Sequence, residues 1–263
     1  MINHSCIIVE NLKKYYGDIK AVDDISFNVR FGEVFGLLGP NGAGKTTTIK
    51  TILGLIEATE GKINILGIDL KANRVLIKKR VGYVAEDPLI YRYLTVKELF
   101  NFIASIRKLK GKEFTEDLRY YIESLNLEKE YSQIIDTLSH GNKQKVQLIA
   151  AILHKPDLLI LDEPFSGLDS KSIKIVKEIL KIQIEKGISI IFSTHILGYA
   201  QDLCDRICII NKGKIAGIGT FKELQEKIKD KKTNLEDIFL KLTEEEKKIN
   251  ETIKNWKKDH KRN

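Results

Sequence analysis

Gly39-Pro40-Asn41-Gly42-Ala43-Gly44-Lys45-Thr46 fits the pattern G-x-x-x-x-G-K-[ST]. An apolar run, Val34-Phe35-Gly36-Leu37-Leu38, precedes it, and a helical stretch from Lys45 to about Leu55 follows. Strand, glycine-rich loop and helix in that order form the setting in which this pattern binds phosphate. The glycines remove Cβ atoms where backbone N–H groups must wrap an anion. The helix N-terminus adds partial positive charge and unpaired donors. Lys45 can reach the β- and γ-phosphates of a nucleotide, and the Thr46 hydroxyl can ligate Mg2+. Gly39, Asn41, Gly42, Ala43, Gly44, Lys45, Thr46 and Thr47 are therefore the candidate cradle.

A second anchor lies far downstream. Leu158-Leu159-Ile160-Leu161-Asp162-Glu163 is four apolar residues and then two carboxylates. A buried strand would carry Asp162 to its carboxyl end, where ligands sit in open α/β sheets. There Asp162 can hold Mg2+, and Glu163 can polarise an attacking water.

Outward from these two anchors, residues 5–10, 25–30, 80–85, 188–192 and 207–210 read as further strands, and 61–68 as a short antiparallel pair. Thr95-Val96-Lys97-Glu98 is a capping box that opens a helix bearing Leu99, Phe102, Ile103 and Ile106. A second amphipathic helix carries Phe114, Leu118, Tyr121, Ile122 and Leu125, and a third begins after Ser139. Residues 87–145 thus read as an all-helical insert. A helix over 171–186 stops at Gly187, Asn211-Lys212-Gly213-Lys214 makes a hairpin, and Thr220 with Glu223 forms another capping box. Strands alternating with helices imply a mainly parallel sheet.

Four further motifs bring a family into view. Leu138-Ser139-His140-Gly141-Asn142 stands before a helix, about twenty residues ahead of the 158–163 strand. Ser166-Gly167-Leu168-Asp169 follows that strand, Ser193-Thr194-His195 follows the next, and Tyr16 lies in Tyr15-Tyr16-Gly17-Asp18. With the phosphate loop, these resemble the ordered motifs of the ATP-binding cassette (ABC) ATPases, and the resemblance runs to about residue 243. It implies an α/β fold: a P-loop NTPase core with a mainly parallel sheet, an antiparallel β subdomain and the all-helical insert. Residues 1–243 would form the ATPase domain and 244–263 a basic helical tail.

The resemblance also implies roles. Lys45, Glu163 and His195 would be catalytic, with His195 donating to the γ-phosphate. Tyr16 would stack on adenine. Ser139 and Gly141, and Asp169 of the D-loop, would meet the nucleotide across a head-to-tail dimer, homomeric or heteromeric. Thr46, Glu86 and Asp162 would hold Mg2+ beside ATP. The chain departs from the family in two places. His140 and Asn142 replace a glycine and a glutamine of the signature loop L-S-G-G-Q, and Glu86 replaces the usual glutamine after residues 81–85. A charged Glu86 should bind Mg2+ more strongly than a neutral amide. A separate transmembrane permease is expected to dock near the helical insert, with Tyr91, Tyr93 and Leu94 as contacts. Residues 235–243 resemble the ATPases of drug, antibiotic and sodium exporters. The alternatives are a cytosolic ABC ATPase with no transporter, or a nucleotide-gated binding module with vestigial activity.

Composition sets the outer bounds. The 263 residues are 43% hydrophobic and 30% charged, enough for a sizeable core and unlike a disordered chain. No apolar run approaches the roughly 18–20 residues that span a bilayer, and the N-terminus lacks a signal-peptide layout. The expected location is therefore cytoplasmic, peripheral to the inner face of the membrane. Three cysteines imply neither a disulfide framework nor a zinc set. The net charge of +8 is concentrated in residues 247–263, so nucleic acid is not an expected partner. Leu242, Ile249, Ile253 and Trp256 make a helical stripe in the tail, read as packing on its own domain or as a membrane or partner contact.

Overall fold

The computed structural model describes residues 5–228 and 233–243. Two sheets stack against each other. The first is antiparallel, in the order β2-β1-β4-β5, from β1 (Ser5–Tyr16), β2 (Ile19–Arg30), β4 (Glu60–Ile65) and β5 (Ile68–Asp69). The second has six strands in the order β10-β9-β3-β8-β7-β6. It contains β3 (Val34–Leu38), β6 (Val81–Val84), β7 (Leu158–Asp162), β8 (Ser189–Thr194), β9 (Arg206–Asn211) and β10 (Lys214–Gly219). All its neighbours run parallel except the β9–β10 hairpin.

Strands β3, β7 and β8 are buried along their whole length, as central strands covered on both faces must be. Their side chains alternate between two cores. Val34, Leu38, Leu159, Leu161, Ile190 and Phe192 face the helices, whereas Phe35, Leu37, Leu158, Ile160 and Ile191 face the antiparallel sheet and α1 (Lys45–Ile52).

Helix α2 (Arg74–Arg80), capped by Asn73, precedes β6. Then come α3 (Val96–Arg107) and α4 (Lys112–Ser124), a 3-10 turn at Ile135–Thr137, and α5 (His140–Ile152). The Thr95–Glu98 capping box is formed in both directions. Helix α6 (Ser170–Glu185) ends before Gly187, which takes φ +84°. Helices α7 (Leu197–Leu203), α8 (Phe221–Lys227) and α9 (Leu235–Thr243) complete the described chain.

Helix α1 stops short of residue 55, because Gly54 turns left-handed at φ +64°. Leu242, the first member of the tail stripe, folds back on its own domain above Gly217. Ile249, Ile253, Trp256 and the 244–263 tail lie outside the described residues. Cys6 and Cys208 are buried, and burial pushes their thiols up to about 11 and 12, so neither is a nucleophile at neutral pH. Among the described residues no helix is long and apolar enough to cross a membrane.

Candidate nucleotide site and groove

Parallel pairing brings the carboxyl ends of β3, β8 and β7 to one edge of the sheet. The register sets Ser193 opposite both Leu37 and Asp162. The phosphate loop leaves β3 there and enters α1. Gly44 sits at φ +109°, and a Cβ on it would strike the Ala21 carbonyl, so only glycine fits. The loop is anchored from the side: Gly213 N–H donates to Ala43 O (2.9 Å) and Asp23 N–H to Gly213 O (2.8 Å).

Lys45 is buried under the loop, its Nζ donating to the carbonyls of Gly39 (2.8 Å) and Pro40 (3.2 Å). Burial lowers its pKa, while the nearby Glu163, Asp162 and Glu86 carboxylates pull the other way. The result is a desolvated ammonium facing three acids.

Asp162 and Glu163 stand together at the end of β7. The Ser193 hydroxyl joins them, donating to Asp162 Oδ1 and accepting from Glu163 N–H at 3.1 Å. Glu163 takes φ +47°, a conformation that a bulky residue keeps only when its surroundings enforce it. His195 Nδ1 lies 2.9 Å from Glu163 Oε1. Burial raises the Asp162 carboxyl above its ordinary range, opposed by the Ser193 and nearby Thr46 hydroxyls.

Asp162 Oδ2 is buried with no hydrogen-bond partner. Such an atom is costly unless something positive reaches it. Beside the Thr46 hydroxyl, it suits a hard cation with oxygen ligands. Among the described residues no cluster of three His, Cys, Asp or Glu makes a closed metal cage. Any such cation would therefore complete its shell from hydroxyl, phosphate and water oxygens.

A cleft of about 410 Å3 opens over the loop. It is lined by Asn41 through Thr47 together with Glu86 and Glu163. Ile19, Lys20, Ala21, Lys212 and Gly213 also line it, and sequence reasoning missed all five. Their only signal was a turn at Gly17-Asp18 and another at Lys212-Gly213, which the fold brings to one rim. Tyr16 stands outside this lining. Its ring is half exposed, with the Lys14 ammonium 4.7 Å from its centre.

Ser139, Gly141 and Asp169 are not at the cleft either. Ser139 caps α5, accepting from Asn142 N–H at 3.3 Å. Asp169 caps α6 through the Ser172 N–H (2.9 Å) and hydroxyl (2.7 Å), bonds that hold its carboxyl down at about 2. The two segments touch each other: a Cβ on Gly141 would strike the Gly167 carbonyl, and one on Gly167 the His140 ring. The Asn142 amide is engaged within the chain, donating to Glu130 Oε1 at 3.3 Å.

An apolar groove of about 380 Å3 lies between β6, α3 and α5. Leu55, Leu89, Tyr91 and Phe102 line it, the last two in edge-to-face contact at 5.1 Å, with Lys78 and Arg107 at its rim. Tyr93, next to it in sequence, is 90% exposed.

Residues 22–166, which span the loop, the carboxylates and the signature segment, match the family described as ABC transporter. The chain belongs to the ABC transporter family. It is 38% identical to an uncharacterized ABC transporter ATP-binding protein of Bacillus subtilis, YhaQ, over 83% of this chain and 72% of that protein. It is likewise 38% identical to the bacitracin transport ATP-binding protein BcrA of Bacillus licheniformis, over 82% of this chain and 70% of that one. A solved structure described as the ATP binding subunit of an ABC transporter superposes with a TM-score of 0.86 at 34% identity. It covers 91% of this chain and all of its own. The chain is an ABC ATPase with the fold of that family's ATP-binding subunits.

Proposed function

We propose that two cassettes, this chain and a second copy or homologue, clamp ATP head to tail, and that its hydrolysis drives export through a separate permease. The observation that supports this best is the convergence of Lys45, Asp162, Glu163, Ser193 and His195 on one sheet edge.

In this reading the loop amides and Lys45 bind the β- and γ-phosphates, and Tyr16 stacks on the base. Thr46, Asp162 and Glu86 would hold Mg2+, which when bound draws charge from the phosphate oxygens. Glu163 accepts the proton of the attacking water as oxygen bonds to the γ-phosphorus and the β–γ bridging bond breaks. As an imidazolium, with both ring nitrogens donating, His195 would hold Glu163 through Nδ1 and donate to the γ-phosphate from its other ring nitrogen. Ser139 and the Gly141 N–H of the second cassette close the other side, with Asp169 nearby. Little covalent chemistry falls to the protein, so its contribution is positioning and charge stabilisation.

The groove beside Tyr91, Tyr93 and Leu94 receives a segment of the permease, which places the chain on the cytoplasmic face of the membrane. Export is favoured because residues 235–243 resemble exporter ATPases, and relatives are named for bacitracin transport and linearmycin resistance.

Lys45→Ala tests the reading. ATP affinity should fall at least about ten-fold and turnover should vanish. Unchanged affinity and turnover would overturn it.

A further inference from the structure

The loop after β6 and the Glu163 backbone end neighbouring strands, and α5 packs behind both. Two amide side chains on one face of α5 fill the space between them. Gln144 is 1% exposed and Gln147 is 4% exposed. They stand three residues apart, so they share a helix face. Gln147 brackets the loop. Its Nε2 donates to Ala85 O at 2.8 Å, and its Oε1 accepts from Leu89 N–H at 2.9 Å. The same Nε2 lies 3.5 Å from Gln144 Oε1, and Gln144 Nε2 lies 3.4 Å from Glu163 O. Buried polar contacts therefore run from Leu89 to the general base.

Burying two amides is costly unless their donors and acceptors are met. Here they are met only while the loop and Glu163 keep their places. Glu163 needs such restraint, since its left-handed backbone is held by few bonds: its N–H to Ser193, and its carbonyl from Ser166 N–H (3.0 Å) and Gln144. At the other end, Leu89 and Gln147 both line the apolar groove, so the first link borders it.

We infer that Gln147 and Gln144 are positioning residues that tie the loop after β6, at the edge of the groove, to the setting of Glu163. The inference rests on the hydrolytic reading above, and its test has a readout that needs no turnover. Three variants of the full chain divide the contacts. Gln147→Leu removes the bracket, and Gln147→Glu keeps the acceptor for Leu89 but loses the donor. Gln144→Met leaves the bracket intact and cuts the arm to Glu163.

Amide hydrogen exchange at Leu89 should speed up in Gln147→Leu and stay slow in Gln144→Met. Exchange at Ser166, which bonds the same carbonyl as Gln144, should speed up in both. The kcat for ATP should fall about ten-fold in all three, with KM within about two-fold. Wild-type exchange at Ser166 in Gln144→Met would overturn the inference, as would wild-type kcat in that variant. A KM rising in step with a falling kcat would mark general damage and overturn it too. A wild-type chain with no ATPase activity would instead sink the hydrolytic reading, while the exchange data would still decide on the relay.

Discussion

His195 Nδ1 lies 2.9 Å from Glu163 Oε1, and the Glu163 side chain is buried while the imidazole stands half exposed. The carboxylate is thus pinned from one side, and in the proposed mechanism its second oxygen acts on water. Glu163→Gln keeps the shape and the bond to His195 but removes the proton acceptor. Turnover should fall by about 10² to 10⁴ with ATP still bound. The loaded variant should run as a dimer in sizing chromatography. A monomer that retains ATP would count against the sandwich.

Asp162 makes a claim about stability. Its pKa is raised in the fold, so the folded state holds a proton more tightly than the unfolded chain does. Stability therefore drops as pH rises past the ordinary carboxylate range. Asp162→Asn removes that burden while its Oδ1 still accepts from Ser193. We expect Tm at pH 8 to rise by about 2–4 °C, the gain shrinking as pH falls toward 4. The same variant should lose any strengthening of nucleotide binding by Mg2+. An unchanged or lower Tm at pH 8 would refute the account.

His154 sets an acid limit. Burial, then the Arg107 charge, pushes its pKa down to about 4, and it bonds Val81 O at 3.2 Å while its Nδ1 is buried unpaired. The unfolded chain takes up a proton near pH 6.5 that the fold resists until about 4. Stability should fall across that window by a few kcal/mol at most, and level off below it. Urea midpoints against pH would show the slope. His154→Gln should flatten it, and an equally steep slope in that variant would assign the effect elsewhere.

Gly141 tests the contact between the signature and D-loop segments. In an open helix, glycine to alanine stabilises by about 1 kcal/mol. Here the new methyl would meet the Gly167 carbonyl. Gly141→Ala should therefore destabilise, by about 1–3 kcal/mol. A rise in Tm would show that the two segments part without penalty.

The phosphate loop and strands β3, β7 and β8 were readable in the sequence because their buried apolar runs end at glycine, at acid and at Ser193-Thr194 respectively. The full lengths of β1 and β2 were not. Asn11 and Asp24 take positive φ at irregularities in their pairing, so polar residues interrupt each strand and mimic a turn. Helix α2 was invisible too: it has seven residues, and Val75 and Leu76 are exposed, which blurs the periodicity. At the site, linear motifs announced Glu163 and His195 but not their contact, which depends on the register of β7 with β8. Ser193 reads as part of the histidine motif, and only the Asp162–Ser193 pairing shows that it ties both carboxylate residues together. Lys20 and Lys212 carry no motif, and the cleft gathers them from two distant turns.

The hairpin turn at Gly213 grips the phosphate loop through main-chain atoms alone, Gly213 N–H to Ala43 O and Asp23 N–H to Gly213 O. Most point mutations leave those atoms in place. Homologues could therefore differ at the rim of the cleft while inheriting the same anchorage. Proline at Asp23 or Gly213 deletes a donor, and any side chain at Gly213, held at φ +76°, would meet the Lys20 and Ala21 carbonyls, so these are the changes that would loosen it.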